Sequence, residues 1–475
     1  MHIKKNTGNI NLKSKFLGNI MYAFSAQLIS LFVSLLLSLI VPKFLGVTEF
    51  AYWQLFIFYS NYVNIAQLGI VDGIYLKLGG KNYEDLDYSV LKAEYKVFAL
   101  FQFAVGIIIA SMGFIFSVDR NKVIVFIGIA LYMIIYNLSR YLGFIFQAVN
   151  NTKWYSIASM IDRITILILG TLAIVTKNIY WQLFIMIYIS GVLVSLAYSW
   201  WKGKEILSVK SKCTLSQTFK ELKDNGTIGI SLMISNLAST LILGVGRQSI
   251  EWHWGLDMFG RVSFALSMTN FFLLFINQVS LVMFPALRKV DANHSLDIYK
   301  KVDYAFSVIS PIVYIVYIPV AFLLKKWLPQ YESSLTYLMI FMPVCVFDGK
   351  MQMLYNTYMK VYRKEKVLLM INIVSVILSL INAMISILIF NNFDMLLIGL
   401  VIVVVIRSLI SSVYLGKFLN NSLPYTFLFD LLFAILFICV CLLTTQILAE
   451  TVVVIAFTIF ILTQYKKMKN LFKKT

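Results

Sequence analysis

The apolar stretches of this sequence are interrupted at a few positions by charge: Arg140, the adjacent Asp162 and Arg163, Arg247, Asp348 with Lys350, Arg407, and Asp430. A charged side chain at mid-depth in a bilayer costs at least about 2.5–3.5 kcal/mol, so such groups face protein or water and mark pathways. Most of these groups are cations, and guanidinium forks match phosphate oxygens. The chemistry they suggest is binding of a multivalent anion. Arg140, Arg163 and Lys350 each lie about ten residues inside their apolar runs, which at about 1.5 Å per residue is near mid-membrane. Arg407 joins them as a fourth candidate. Arg247 and Arg261 sit nearer the outer surface, where snorkelling competes with a binding role. Asp162 could neutralise Arg163 or serve as a coupling carboxylate, and Asp348 and Lys350 could form a structural pair. Small polar residues dot the first apolar run (Asn19, Ser25, Gln27, Ser30) and the seventh (Ser231, Ser235, Asn236, Ser239). They suit either a polar cleft or close helix packing.

Other chemistry is poorly supported. Cys213, Cys345, Cys439 and Cys441 fit no zinc or redox spacing, and His2, His253 and His294 form no cluster, so no metal or cofactor is expected. Asp72-Gly73 and Gly79-Gly80 lack the Lys-Ser or Lys-Thr and the helix start of a phosphate-cradling loop, and read as a helix stop.

The elements that carry these residues follow from hydropathy. Of 475 residues, 60% are hydrophobic and 13% charged. That much apolar surface has to face lipid, about 20 residues per span. Fourteen runs of spanning length are expected, near 16–42, 50–76, 93–117, 123–148, 154–175, 178–200, 227–249, 259–286, 303–324, 333–359, 367–390, 394–415, 425–448 and 450–465. The last is short, and twelve spans would also be possible. The net charge of +19 reflects short basic loops rather than nucleic-acid binding. With the N-terminus inside, most Lys and Arg fall in inner loops, and both termini become cytoplasmic. The initial apolar run is too long for a signal peptide and is read as a retained span. The sequence therefore specifies an all-α polytopic membrane protein with a six-helix lobe over 1–200, a cytoplasmic lysine-rich linker over 201–226, a second six-helix lobe over 227–415, and two added helices with a basic tail over 416–475.

An internal repeat supports that division. At an offset of 209, Gly46, Phe50 and Ala51 fall on Gly255, Phe259 and Gly260, while Gln27, Leu28 and Ser30 meet Asn236, Leu237 and Ser239. At 212, the hairpin from Gln147 to Lys153 falls on Met359 to Glu365, and Lys350 comes within two positions of the partner of Arg140. Parallel repeats of this kind are a transporter arrangement.

The layout, the Gly-x3-Phe-Ala/Gly element after the first and seventh spans, the stretch Gln147-Ala-Val-Asn150-Asn-Thr-Lys153 and the stretch Gly69-Ile-Val-Asp72-Gly73 resemble Wzx-type polysaccharide flippases. These belong to the superfamily that also holds multidrug extruders and the lipid II flippase. The resemblance covers essentially the whole chain through short motifs. It implies two six-helix lobes in a V-shaped, alternating-access arrangement. It also implies a substrate of undecaprenyl-pyrophosphate-linked oligosaccharide, for O-antigen or capsule, moved outward across a bacterial inner membrane. A cationic cavity is implied too, for which Arg140, Arg163, Lys350, Arg407 and Arg247 are the residues at suitable depth. Polymerase and chain-length proteins would be partners. Fourteen spans depart from the twelve often drawn for O-antigen flippases. A multidrug extruder of the same fold is disfavoured because neither the first nor the seventh run carries an Asp or Glu in its apolar body. A membrane polymerase or ligase would need a large outer loop, which is absent.

Overall fold

A computed structural model of the chain describes residues 3–117, 119–210, 212–287, 292–419, 425–443 and 446–473. Side chains are described outside 3–17, 20, 275, 277–287, 292–295, 446–450 and 465–473. All described secondary structure is helical: α1 (Ile3–Phe44), α2 (Val47–Ser60), α3 (Ile70–Leu78), α4 (Tyr88–Phe116), α5 (Arg120–Ala148), α6 (Thr152–Val175), α7 (Trp181–Lys202), α8 (Lys204–Ser208) and α9 (Leu215–His253). There follow α10 (Leu256–Leu287), α11 (Ala292–Ile309), α12 (Ile312–Trp327), α13 (Glu332–Lys350), α14 (Asn356–Val361), α15 (Glu365–Met384), α16 (Phe393–Phe418), α17 (Tyr425–Leu443) and α18 (Gln446–Lys473). Helix or a helix pair covers each of the fourteen expected runs. Among the described residues, eleven helical segments are long and apolar enough to cross a membrane. The protein is a multi-pass membrane protein.

The second expected span, 50–76, is not one helix. It breaks after Ser60 into a short 3-10 turn (Val63–Gln67), passes through Leu68 and Gly69 at positive φ, and resumes as α3. A broken helix at membrane depth needs its freed backbone groups satisfied by protein. Gln102 of α4 donates to the Ala66 carbonyl (2.8 Å), and Asn137 of α5 donates to the Val63 carbonyl (3.1 Å). The same two side chains bond each other, and Gln67 donates to Asn137. Three buried amides thus replace the lost helical bonds. Hydropathy averaging hides such a break because the amides that support it lie on other helices.

The break also lets α3 approach α9 at backbone distance. A Cβ on Gly73 would run into the Asn225 carbonyl, and one on Gly229 into that of Gly69. Glycine is required at 73 for contact rather than conformation. Gly73→Ala should therefore cost about 1–3 kcal/mol through overpacking and lower the thermal midpoint in detergent. Gly79→Ala, whose Cβ would meet only ordinary contacts, is the matched control. Equal midpoints for the two variants would remove this account of the α3–α9 contact.

The chain divides into two compact units, Met1–Leu237 and Ala238–Thr475, with the boundary inside α9. The stretch 201–226 is not an open tether: α8 and the first turns of α9 pack within the first unit. Asn225 donates to the buried Glu94 carboxylate, and Lys77 pairs with Glu221. Within the first unit α5 is central, packing on α2, α3, α4, α6 and α7. Within the second, α13 holds that place, packing on α10, α12, α16 and α17. The added helices α17 and α18 pack on α11, α12 and α13 and belong to the second unit's core.

Two pairs of hairpins repeat between the units. After α5, Asn150 takes positive φ, with bonds from Asn150 N to Gln147 O and from Asn151 N to Phe146 O. After α14, Arg363 does the same, with bonds from Arg363 N to Lys360 O and from Lys364 N to Met359 O. The observed offset here is 213, one more than the sequence comparison suggested. Lys177 and Asn391, both at positive φ, form a second pair at 214. A π-helical turn (Ile385–Ile389) precedes Asn391 and takes up the extra residue. A second such turn, Met351–Tyr355, follows Lys350.

Candidate functional site

In the first unit the described cations are handled differently from one another. Arg140 lies on α5, one turn beyond the Asn137 that supports the broken helix. Its guanidinium stacks on Phe144 (4.2 Å to the ring centroid), lies 5.7 and 5.8 Å from the rings of Tyr136 and Tyr155, and donates to the Tyr155 hydroxyl. Tyr155 is held against α5 because Gly143 leaves room for its ring. Arg140 is half-buried, and its Nε has no protein partner. Asp72 of α3 interacts with it electrostatically but makes no ion pair. The result is a cation fixed by aromatic rings with hydrogen-bonding capacity left over. Cation–π contact positions a guanidinium without neutralising it.

Arg163 of α6 is more committed. Its Nε stands 3.8 Å from Asp162 Oδ2, and it donates to the Tyr188 hydroxyl at 3.4 Å. Asp162 therefore serves Arg163, although the long distance marks a loose pair. Arg247 donates to Ser263 (2.8 Å) and lies over Phe259.

The polar residues of α1 and α9 separate by role. Asn19 is buried and donates to the Asn150 carbonyl (2.9 Å), tying α1 to the hairpin after α5. Ser25 and Asn236 are exposed, while Gln27, Ser30 and Ser235 are half-buried. Ser239 accepts a bond from Arg407.

The second unit uses its cations internally. Arg407 of α16 is 2% exposed, and all three of its nitrogens are engaged. It donates to Asp348 Oδ1 (2.8 Å), Asn372 Oδ1 (3.0 Å) and Ser239 Oγ (3.0 Å), joining α13, α15 and α9. Lys350 is fully buried and bonds Asp303, Asp430 and Ser307. Asp348 and Lys350 are thus not a pair, since each has its own partner on another helix. In this structure Lys350 and Arg407 are spent on protein carboxylates rather than presented to a ligand. Counting back from the repeated hairpins places Arg140 opposite the uncharged turn Met351–Tyr355. The second unit therefore offers no matching cation at that position.

Several residues of these sites escaped the sequence reading. Asp303 stands at the first position of the expected run 303–324 and was not among the candidates. Asp72 was read as part of a helix stop. Glu94 lies 1% exposed in α4, accepting from Tyr141 (2.9 Å) and Asn225 (3.1 Å). All three stand near the ends of apolar runs, where charge is ordinary, so only the fold shows that they are buried or aimed inward. Between α4 and α9 the first unit also has an open apolar hollow of about 420 Å³, lined by Leu68, Phe98, Phe101, Leu222 and Ile230, with Lys223.

No protein-family model matches the chain, and no curated protein sequence matches it significantly. Solved structures do. The lipid II flippase MurJ in an inward closed conformation superposes with a TM-score of 0.66 at 16% identity, covering 95% of this chain and 99% of that one. An inward-facing multidrug resistance transporter of the MATE family, in the MOP superfamily, gives 0.56 at 11% identity over 83% and 94%. A MOP-superfamily transporter from Pyrococcus furiosus, described as having a binding pocket of reversed polarity, gives 0.50 at 13% identity over 85% and 96%. The chain has the fold of MOP-superfamily transporters.

Proposed function

We propose that the chain is a flippase of the Wzx type. It would move undecaprenyl-pyrophosphate-linked oligosaccharide repeat units, for O-antigen or capsule, from the cytoplasmic to the outer leaflet of a bacterial inner membrane. Both termini would lie in the cytoplasm, and the added polymerase and chain-length machinery would act downstream. The protein then works as a transporter and not an enzyme.

The observation that carries this reading is Arg140: a half-buried guanidinium held by three aromatic rings, without an ion-pair partner. A pyrophosphate offers the charge it lacks, and aromatic faces suit sugar rings. Arg163, with its loose partner, is a second cation in the same unit. The apolar hollow beside Lys223 suits a hydrocarbon chain. The fold shared with a lipid II flippase supports a lipid-linked substrate. The fold is shared with multidrug transporters too, so the fold alone does not choose between them. The apolar bodies of α1 and α9 carry no Asp or Glu, which argues against a carboxylate-driven drug extruder.

Deleting the gene should abolish surface display of the glycan and leave its lipid-linked precursor on the cytoplasmic side, and restoring the chain should reverse both. Normal surface glycan in a deletion strain that holds no second copy of the gene would refute the reading.

A further inference from the structure

The second unit buries two carboxylates around one amine. Lys350 Nζ donates to Asp430 Oδ2 (2.8 Å) and Ser307 Oγ (2.7 Å) and lies at ion-pair distance, 2.9 Å, from Asp303 Oδ1. Ser307 and Ser310 donate to the two oxygens of Asp430 (3.0 Å each), and Thr426 donates to Asp303 Oδ2. Lys350 and Asp430 are at most 1% exposed and Asp303 is 4% exposed. With every group ionised, the cluster holds one uncompensated negative charge. The neighbouring Arg407–Asp348 pair, by contrast, balances to zero.

Among the described residues, the electrostatic neighbours of the cluster include no further cation. Facing the cluster are Tyr299 on α11, Tyr314 on α12, Tyr355 on the π-helical turn, backed by Ser408 and Ser412 of α16, and Thr426 on α17. Asp348, nearby on α13, is taken by Arg407. The hydroxyls of Tyr299 and Tyr314 are buried without hydrogen-bond partners beside Asp303 and Asp430 respectively. Tyr355 faces Ser408 and Ser412 and, with Tyr299, interacts electrostatically with Asp303. Buried hydroxyls left open beside an excess carboxylate are unusual in a purely structural ion pair. They are groups that could pass or accommodate a proton.

We infer that Asp303, Lys350 and Asp430 form a site that binds one exchangeable proton. A proton from water converts one of the two carboxylates to the acid and leaves the other to balance the ammonium. A metal ion is the poorer fit, because the ammonium occupies the centre of the oxygen cage where the metal would sit. The π-helical turn begins at Met351, directly after Lys350, so a change in the cluster bears on a backbone segment whose helical register is already irregular. The site stands on its own charges, and only the use of its proton to energise transport rests on the flippase reading.

Infrared difference spectra of the whole protein in liposomes, taken as pH is stepped, test this without any substrate. The wild type should show a carboxylic-acid band that is lost as pH rises. Asp303→Asn and Asp430→Asn should each remove it, because one remaining carboxylate is balanced by Lys350. Lys350→Met should enlarge it about twofold, since neither carboxylate is then compensated. Glu94→Gln should leave it in place, separating it from the buried acid of the first unit. Wild-type spectra without such a band overturn the inference even if no variant folds, as does a band that both Asn variants retain. Loss of the band on adding NaCl at constant pH would assign the site to a metal cation and overturn it too. None of these outcomes depends on which molecule is transported, so the site and the flippase reading fail separately.

Discussion

Arg140→Ala is expected to lower glycan translocation by about 10- to 100-fold, the worth of about 1.5–3 kcal/mol for hydrogen bonds from a charged donor. Membrane abundance should stay near wild type. The two halves of that expectation come from the same geometry. Arg140 makes no ion pair, so its removal strands no buried carboxylate, and the nearest acid, Asp72, only interacts at a distance. The structural loss is one bond to Tyr155 and stacking on Phe144. The functional loss is a half-buried cation whose Nε has no protein partner. Arg140→Lys should recover part of the rate, because it restores charge but not the planar fork or the stacking face. Transport would be read from the appearance of glycan at the surface at matched protein levels. Wild-type rates for Arg140→Ala would remove Arg140 from the site and, with it, the main support for an anionic substrate.

The architecture was largely legible in the sequence. Spans are written in hydropathy, which is local, and helix is found at every expected run. The repeat was legible at its hairpins for a physical reason: Asn150 and Arg363 occupy positive-φ caps with the same bonding pattern, and the residues around such caps are constrained. Two things were not legible. One was the break after Ser60, which is satisfied by Gln102 and Asn137 from helices far along the chain. The other was which charges neutralise each other. Asp348 and Lys350 are two residues apart and so diverge on a helix, and their partners, Arg407 and the pair Asp303 and Asp430, are 47 to 80 positions away in sequence and on other helices. Depth along a span could be counted from the sequence, but not direction around the helix relative to partners. That is why a set of four mid-depth cations divides into Arg140, with free valence, Arg163, with a loose partner, and Lys350 and Arg407, both paired with buried carboxylates.

Arg407→Leu follows from that division and should act on stability first. Removing one partner of a buried pair leaves the other uncompensated, at a cost of about 3–5 kcal/mol. Asp348→Leu should cost a similar amount, because Arg407 would then be a buried cation facing only Asn372 and Ser239. The double variant, with both charges gone, should recover most of the loss, since apolar replacement of a buried pair is often close to neutral. Thermal midpoints in detergent and membrane abundance measure the three variants. The same set separates a structural role from a binding role. If Arg407 serves to tie α9, α13, α15 and α16 together, the double variant should both fold and transport. A double variant that folds like the wild type but transports no glycan would return Arg407 to the list of residues that touch the substrate. Losses that simply add in the double variant would show that the pair is not the energetic unit its 2.8 Å geometry indicates.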